Sequence, residues 1–221
     1  MIGSGIFRKG SKVQESHRRV QWVYGSTNNS ELEDRYDQWA SDYDGDLAAE
    51  FAWNSPQHAA EVFANHVNNP AKILDAGAGT GLVGECLTEL GYKDLVAMDL
   101  SQGMLDEAKK KNIYNEFHQM ALGVSLDFPS DEFDAVISVG VFTQGHAPAN
   151  SFDELIRITK ASGLIVFSLR VDLYQDGGFK EYQSGLEDTG KWKLVEVTDL
   201  FQPLPKGEPE VWHQIWAYQV C

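Results

Sequence analysis

Residues 72–81 read Lys-Ile-Leu-Asp-Ala-Gly-Ala-Gly-Thr-Gly. Ile73 and Leu74 make a short apolar strand that ends at Asp75, and a glycine-rich turn follows. Beyond the turn, Leu82, Val83, Cys86, Leu87 and Leu90 recur at helical spacing, and Gly91 closes that helix. Strand, glycine turn and helix in this order are the opening unit of an open α/β sheet. Ligands bind such sheets in the crevice at the carboxyl ends of the strands. Glycines there permit a tight turn and a close approach of ligand to backbone.

The alternation continues outward. Asp94–Asp99 (Asp-Leu-Val-Ala-Met-Asp) is a second apolar strand, and Ser101 is placed to cap a helix with Met104, Leu105 and Ala108 inward. Phe133–Gly140 is another strand. Ser151-Phe-Asp-Glu154 predicts a capping box, its helix ends at Ala161-Ser-Gly163, and Leu164–Leu169 is a strand again. Strands apolar throughout and separated by helices mean a mostly parallel sheet covered on both faces. Trp192–Thr198 and Val211–Val220 alternate with no helical pattern between them, which predicts an antiparallel pair at the sheet edge.

Upstream, Ser30-Glu-Leu-Glu33 suggests a capping box. Tyr36, Trp39, Ala40 and Tyr43 share one helical face, and Gly45 is expected to break that helix. Ser55-Pro56 starts a further helix that Asn68-Asn69-Pro70 ends. Residues 1–29 carry Arg8, Lys9, Lys12, Arg18 and Arg19 without a sustained period. They are expected to be a basic, mobile N-terminal arm ahead of one domain at 30–221.

The 221 residues, 43% hydrophobic and 23% charged, suit a single globular domain with a real core. A formal net charge of −15 argues against bulk nucleic-acid binding. Two cysteines, Cys86 and Cys221, make neither a disulfide framework nor a four-cysteine zinc site, and His17, His58, His66, His118 and His213 lack ligand spacing, so no metal is expected. No apolar run reaches a bilayer span and the start lacks a signal-peptide core, so a cytoplasmic setting is the default expectation, without excluding the nucleus.

Gly79-Thr-Gly81-Leu-Val-Gly84 also fits the dinucleotide fingerprint G-x-G-x-x-G. Two features weaken that match. The residues before Gly79 are not apolar strand, and a pyrophosphate near Asp75 would meet like charge. Asp99 ends the second strand, where a carboxylate accepts hydrogen bonds from both ribose hydroxyls. A nucleoside carrying an ammonium and a sulfonium suits such an acidic strand end, which points to S-adenosylmethionine (SAM).

Asp75–Gly81 resembles motif I of the class I SAM-dependent methyltransferases. Ala97–Leu105 resembles their acidic second motif, Phe128–Ile137 their approach to strand four, and Leu155–Ile165 their passage from helix to strand five. Tyr36–Asp44 and Phe179-Lys-Glu-Tyr182 are similar to the methyltransferase-like proteins named after the Williams–Beuren syndrome region. The resemblance implies a Rossmann-like, seven-stranded, mostly parallel sheet in the order 3-2-1-4-5-7-6, with strand seven antiparallel and helices on both faces. It implies that the backbone of Gly77, Ala78 and Gly79, in the motif closed by Gly81, meets the methionine part, with Asp75 ordering the loop. Asp99 would take the ribose, Leu100 and Met104 the adenine faces, and Met120, Ala121 and Leu122 the adenine edge. Val139 and Gly140 would line the transfer channel beneath a lid of Tyr36, Trp39 and Tyr43. His146, in the loop after strand four, is the candidate to take a proton from the nucleophile.

The expected activity is transfer of a methyl group from SAM to an N, O or S nucleophile, leaving S-adenosylhomocysteine (SAH). A small molecule is the first choice of acceptor and a protein side chain the second. The alternatives are a non-enzymatic SAM or SAH binder and, less favoured, an NAD(P)-dependent oxidoreductase. Oligomeric state is not legible.

Overall fold

The computed structural model describes residues 18–221. Its elements are α1 (18–24), α2 (Asn29–Asp46), a π-helical turn (Leu47–Phe51), α3 (Ser55–His66), β1 (Lys72–Ala76), α4 (Leu82–Glu89), β2 (Asp94–Asp99), α5 (Gln102–Lys110), β3 (Glu116–Gln119), β4 (Phe133–Phe142), α6 (Ser151–Ile158), β5 (Thr159–Arg170), α7 (Val171–Asp176), α8 (Phe179–Asp188), β6 (Trp192–Val197) and β7 (His213–Val220). One sheet runs β3-β2-β1-β4-β5-β7-β6. Pairings from β3 to β5 are parallel, and β7 is antiparallel to both of its neighbours. This is the expected order, and β6 and β7 form the expected edge pair.

The strands carry core on both faces, because successive side chains point oppositely. Ile73, Leu95, Ala135 and Ile137 pack with Phe63, Val83, Leu87 and Leu105 from α3, α4 and α5. Leu74, Val96, Val136 and Phe167 pack on the other face with Phe152, Phe179 and Trp192. A third cluster joins Val20, Val23, Leu32, Trp39, Leu47, Phe51 and Leu204 above the carboxyl end of the sheet. β1 has β2 on one side and β4 on the other, so the strand order reverses there and a crevice opens.

Several local expectations are corrected. Residues 18–24 are helical and bury Val20 and Val23, so ordered packing reaches at least twelve positions upstream of the expected boundary at residue 30, that is from 18 to 29. The rest of the expected arm, 1–17, lies outside the described residues. The cap of α2 is Asn28 rather than Ser30. Asn28 Oδ1 accepts the Glu31 N–H at 2.9 Å, while Glu31 reaches back to the Thr27 N–H at 2.9 Å. Gly45 does not end α2. A helical glycine costs only about 1 kcal/mol, and burial of Leu47 and Phe51 carries the chain on until Ala52 turns left-handed at φ +53°. Ser151 is not a cap: α6 is preceded by Asn150, and Glu154 instead binds Arg157 and the Leu126 N–H. β5 begins at Thr159 rather than Leu164, with a register shift that accommodates Ser162 at φ +66°.

Candidate active site

The turn after β1 is held by β2. The N–H groups of Gly77 and Ala78 both donate to the Met98 carbonyl, at 2.7 and 3.0 Å. Gly79 N–H donates to Asp99 Oδ2 and Ser101 N–H to Asp99 Oδ1, each at 2.8 Å. Asp99 therefore staples the glycine loop to the start of α5. Gly77 sits at φ +85°, and a Cβ there would run into the Val141 side chain. Gly79 is also left-handed, at φ +54°, but a Cβ there would meet nothing and would project into open space.

That space is an open cleft of about 870 Å³, its mouth and the solvent within it included. Its floor is the loop Gly77–Thr80. Asp99, Leu100, Met104 and Met120–Leu122 line one end, and Val139, Gly140 and Val141 the other. Tyr36, Tyr43 and Trp53 reach over it from α2 and the turn after it. Among the described residues lining the cavity, Asp99 is the one carboxylate and none is Lys or Arg. Burial raises the Asp99 carboxyl to about 6, against the opposing pull of its backbone N–H donors.

Asp75 lies behind this surface. It is fully buried at the end of β1, its Oδ2 accepts the Tyr114 hydroxyl at 2.6 Å, and its Oδ1 has no partner. Burial raises it to about 7, with the Tyr114 bond opposing. The loop-ordering role expected of Asp75 thus belongs to Asp99 and the Met98 carbonyl.

The aromatic face of α2 divides. Tyr36 stacks on Trp39 with ring centroids 6.2 Å apart, and Tyr43 meets Trp39 edge-on at 4.8 Å. Trp39 is buried beneath the two tyrosines, outside the cavity, and donates Nε1–H to Asp46 at 2.9 Å. It supports the two tyrosines from behind and does not line this cavity. Tyr36 Oη lies 2.7 Å from His146 Nε2, and His146 Nδ1 lies 2.8 Å from the Gln144 carbonyl. A carbonyl only accepts, so Nδ1 carries the hydrogen and Nε2 takes the Tyr36 O–H. Burial holds the imidazole below its ordinary pKa, and therefore neutral.

Residues 74–167 match the model of a methyltransferase domain. The chain is 32% identical over 192 residues to human methyltransferase-like protein 27, covering 84% of this chain and 78% of that one. The chain belongs to the class I SAM-dependent methyltransferases. Demethylmenaquinone methyltransferase of Renibacterium salmoninarum is 35% identical over 96 residues, 43% of this chain and 39% of that one. Among solved structures, a TehB-like SAM-dependent methyltransferase from Corynebacterium glutamicum aligns with a TM-score of 0.62 at 20% identity, covering 85% of this chain and 99% of that chain. A SAM-dependent methyltransferase from Mesorhizobium loti aligns at 0.55 and 17%, covering 75% and 98%. The fold and the SAM requirement are therefore those the motifs implied.

Of the residues expected at this methyltransferase's cofactor site, Trp39, Asp75 and Gly81 do not line the cavity. Gly81, at φ +92°, instead precedes α4 as its cap. The others named do line it, including His146. Sequence reading missed Asn29, Leu32, Trp53, Thr80, Leu82, Val83, Met98, Val141 and Ala147. Met98 and Val141 adjoin motif residues, so the motif's neighbours held a signal. Trp53 had none, because it is aimed by the left-handed turn at Ala52.

The donor set fits SAM. Open backbone at Gly79, an acceptor at Asp99 and a lining without lysine or arginine among the described residues suit an uncharged ribose and a cationic methyl donor, and fit a pyrophosphate poorly. Among the described residues no cluster of three His, Cys, Asp or Glu is arranged to hold a metal, and no helix is long and apolar enough to cross a membrane.

Proposed function

We propose that this methyltransferase acts on a small molecule, at an N, O or S atom. The observation that carries the reading is the aromatic roof over the transfer end. Val139 and Gly140 lie under Tyr36, Tyr43 and Trp53, which leaves room for a compact acceptor rather than a folded surface or a polynucleotide. Asp99 takes the ribose through lone pairs its two backbone donors leave free. Leu100 and Met104 flank the adenine, the backbone of Met120–Leu122 meets its edge, and the loop Gly77–Gly79 meets the methionine part. The aromatic faces of Tyr36 and Tyr43 attract the sulfonium, an effect of about 0.5–2 kcal/mol each.

In the transfer, the acceptor's lone pair forms a bond to the methyl carbon as the carbon–sulfur bond breaks, and that electron pair remains on sulfur. Alignment supplies most of the rate. The acceptor's proton passes to Tyr36 Oη as the Tyr36 proton moves to His146 Nε2, so the positive charge lost by sulfur reappears on the imidazole. His146 thus acts through Tyr36 and is a positioning residue in this reading. Labelling cell extract with tritiated SAM and separating small molecules, protein and RNA tests the acceptor class. Label confined to the small-molecule fraction is expected; label chiefly in protein or RNA would overturn the reading.

A further inference from the structure

A second cavity, about 520 Å³ with its open solvent included, adjoins the first. The two share Tyr36, Tyr43, Trp53 and Gly140, so they meet where the methyl group would be delivered. The second lies between α1, α2 and the loop joining β6 to β7. Aromatic rings, Tyr24 and Trp39 besides the three shared ones, alternate in its walls with aliphatic side chains, Val20, Leu47, Leu204 and Val211 among them. No Asp, Glu, Lys or Arg is among the described residues lining it. At one wall stands His213, only 5% exposed, with Nδ1 unpartnered.

A buried imidazole nitrogen without a partner costs about 1–3 kcal/mol. It is relieved when a ligand supplies the missing hydrogen bond. Burial and the nearby Arg170 lower His213 to about 3, so it is neutral, and a neutral imidazole either donates or accepts at Nδ1. Apolar walls without a counter-charge penalise a charged ligand strongly. Flat rings match the tyrosine and tryptophan faces.

We infer that this second cavity is the acceptor pocket, and that it takes a neutral, single-ring aromatic molecule. The molecule presents a nucleophilic hydroxyl, thiol or amine at the Tyr36–Gly140 junction and a second polar group to His213 Nδ1. This rests on the small-molecule reading above and specifies its substrate class.

The test uses the full chain loaded with SAH and three probes on one ring: neutral 4-hydroxybenzyl alcohol, anionic 4-hydroxybenzoate and cationic tyramine. Calorimetry should show the neutral probe binding at least about tenfold more tightly than either ion. Leu204→Trp and Val211→Trp, which fill the cavity from two sides, should abolish probe binding and leave SAH affinity within about twofold. His213→Phe should weaken 4-hydroxybenzyl alcohol about fivefold or more and leave 4-ethylphenol, which lacks the second polar group, unchanged. Equal affinity for the charged probes, no binding of the neutral probe, or undiminished binding to both tryptophan variants would overturn the proposal. SAH is titrated first, so a failure to bind SAH counts against the cofactor assignments and is separate from a failure of the probes alone.

Discussion

At the scale of single residues, two glycines of the same loop with the same sign of φ are separable. Gly77 and Gly79 both have positive φ, but only Gly77 faces a side chain, that of Val141. Gly77→Ala therefore combines backbone strain with overpacking and should cost about 2–5 kcal/mol in urea unfolding. Gly79→Ala keeps only the strain, about 1–3 kcal/mol, and puts its methyl into the cavity, so its larger effect should be on SAM affinity in calorimetry. Asp99 gives a pH signature. Its pKa near 6 is raised by burial, so the free protein protonates it at a pH where an ordinary aspartate is charged. Binding a cation and ribose hydroxyls favours the carboxylate, so affinity falls as the pH drops through 6. Between pH 7 and 5 the loss should be about tenfold for this one group. Asp99→Asn should bind SAM more weakly at pH 7 and lose that slope; an unchanged slope would assign the titration to another group. Asp99 was legible in the sequence because a strand end fixes where its carboxylate points. Asp75 was legible as a strand end too, but whether it faced ligand or core depended on Tyr114, some forty positions later, reaching across to it.

At the scale of elements, the sheet was readable because each strand's period and apolar content agree with its neighbours'. The lid was not. Trp39 has the spacing of Tyr36 and Tyr43, yet three residues advance a helix by somewhat less than a turn, which sends Trp39 into the cluster with Val20, Val23, Leu47 and Phe51. α1 escaped notice because its seven described residues are too few to establish a period, and its two buried valines find their partners in α2 and Leu204. Its packing has a consequence. Val23 is 1% exposed, so Val23→Asp replaces buried apolar surface with a carboxylate and should cost about 3 kcal/mol or more. The loss falls on the α1–α2 layer and not on the sheet. Limited proteolysis should then cut preferentially within 18–51, while the sheet persists as a resistant fragment. Wild-type resistance in that variant would mean α1 contributes nothing to the layer.

At the scale of the whole molecule, two packed sheet faces support a third, thinner layer that closes the site. The sheet is hydrogen-bonded through seven strands from β3 at one edge to β6 at the other, whereas α1, α2 and the π-helical turn rest on one apolar cluster and on α5. The difference predicts where ligand energy goes. SAH at about a hundred times its dissociation constant should stabilise the fold by about 2.7 kcal/mol. For a domain of this size that is a rise in Tm of about 5–10 °C. The stabilisation should not be uniform. In the proposed binding mode cofactor would bridge the loop after β1 to Tyr36 and Tyr43, which line one cavity, and so add contacts to the layer that opens most easily and few to strands that already open only globally. Amide exchange should therefore slow most in 29–51 and in the loop 77–81, with β4 and β5 protected only to the extent of the global gain. Equal slowing everywhere would show that the layer opens only together with the sheet, and that the site closes without a separable lid.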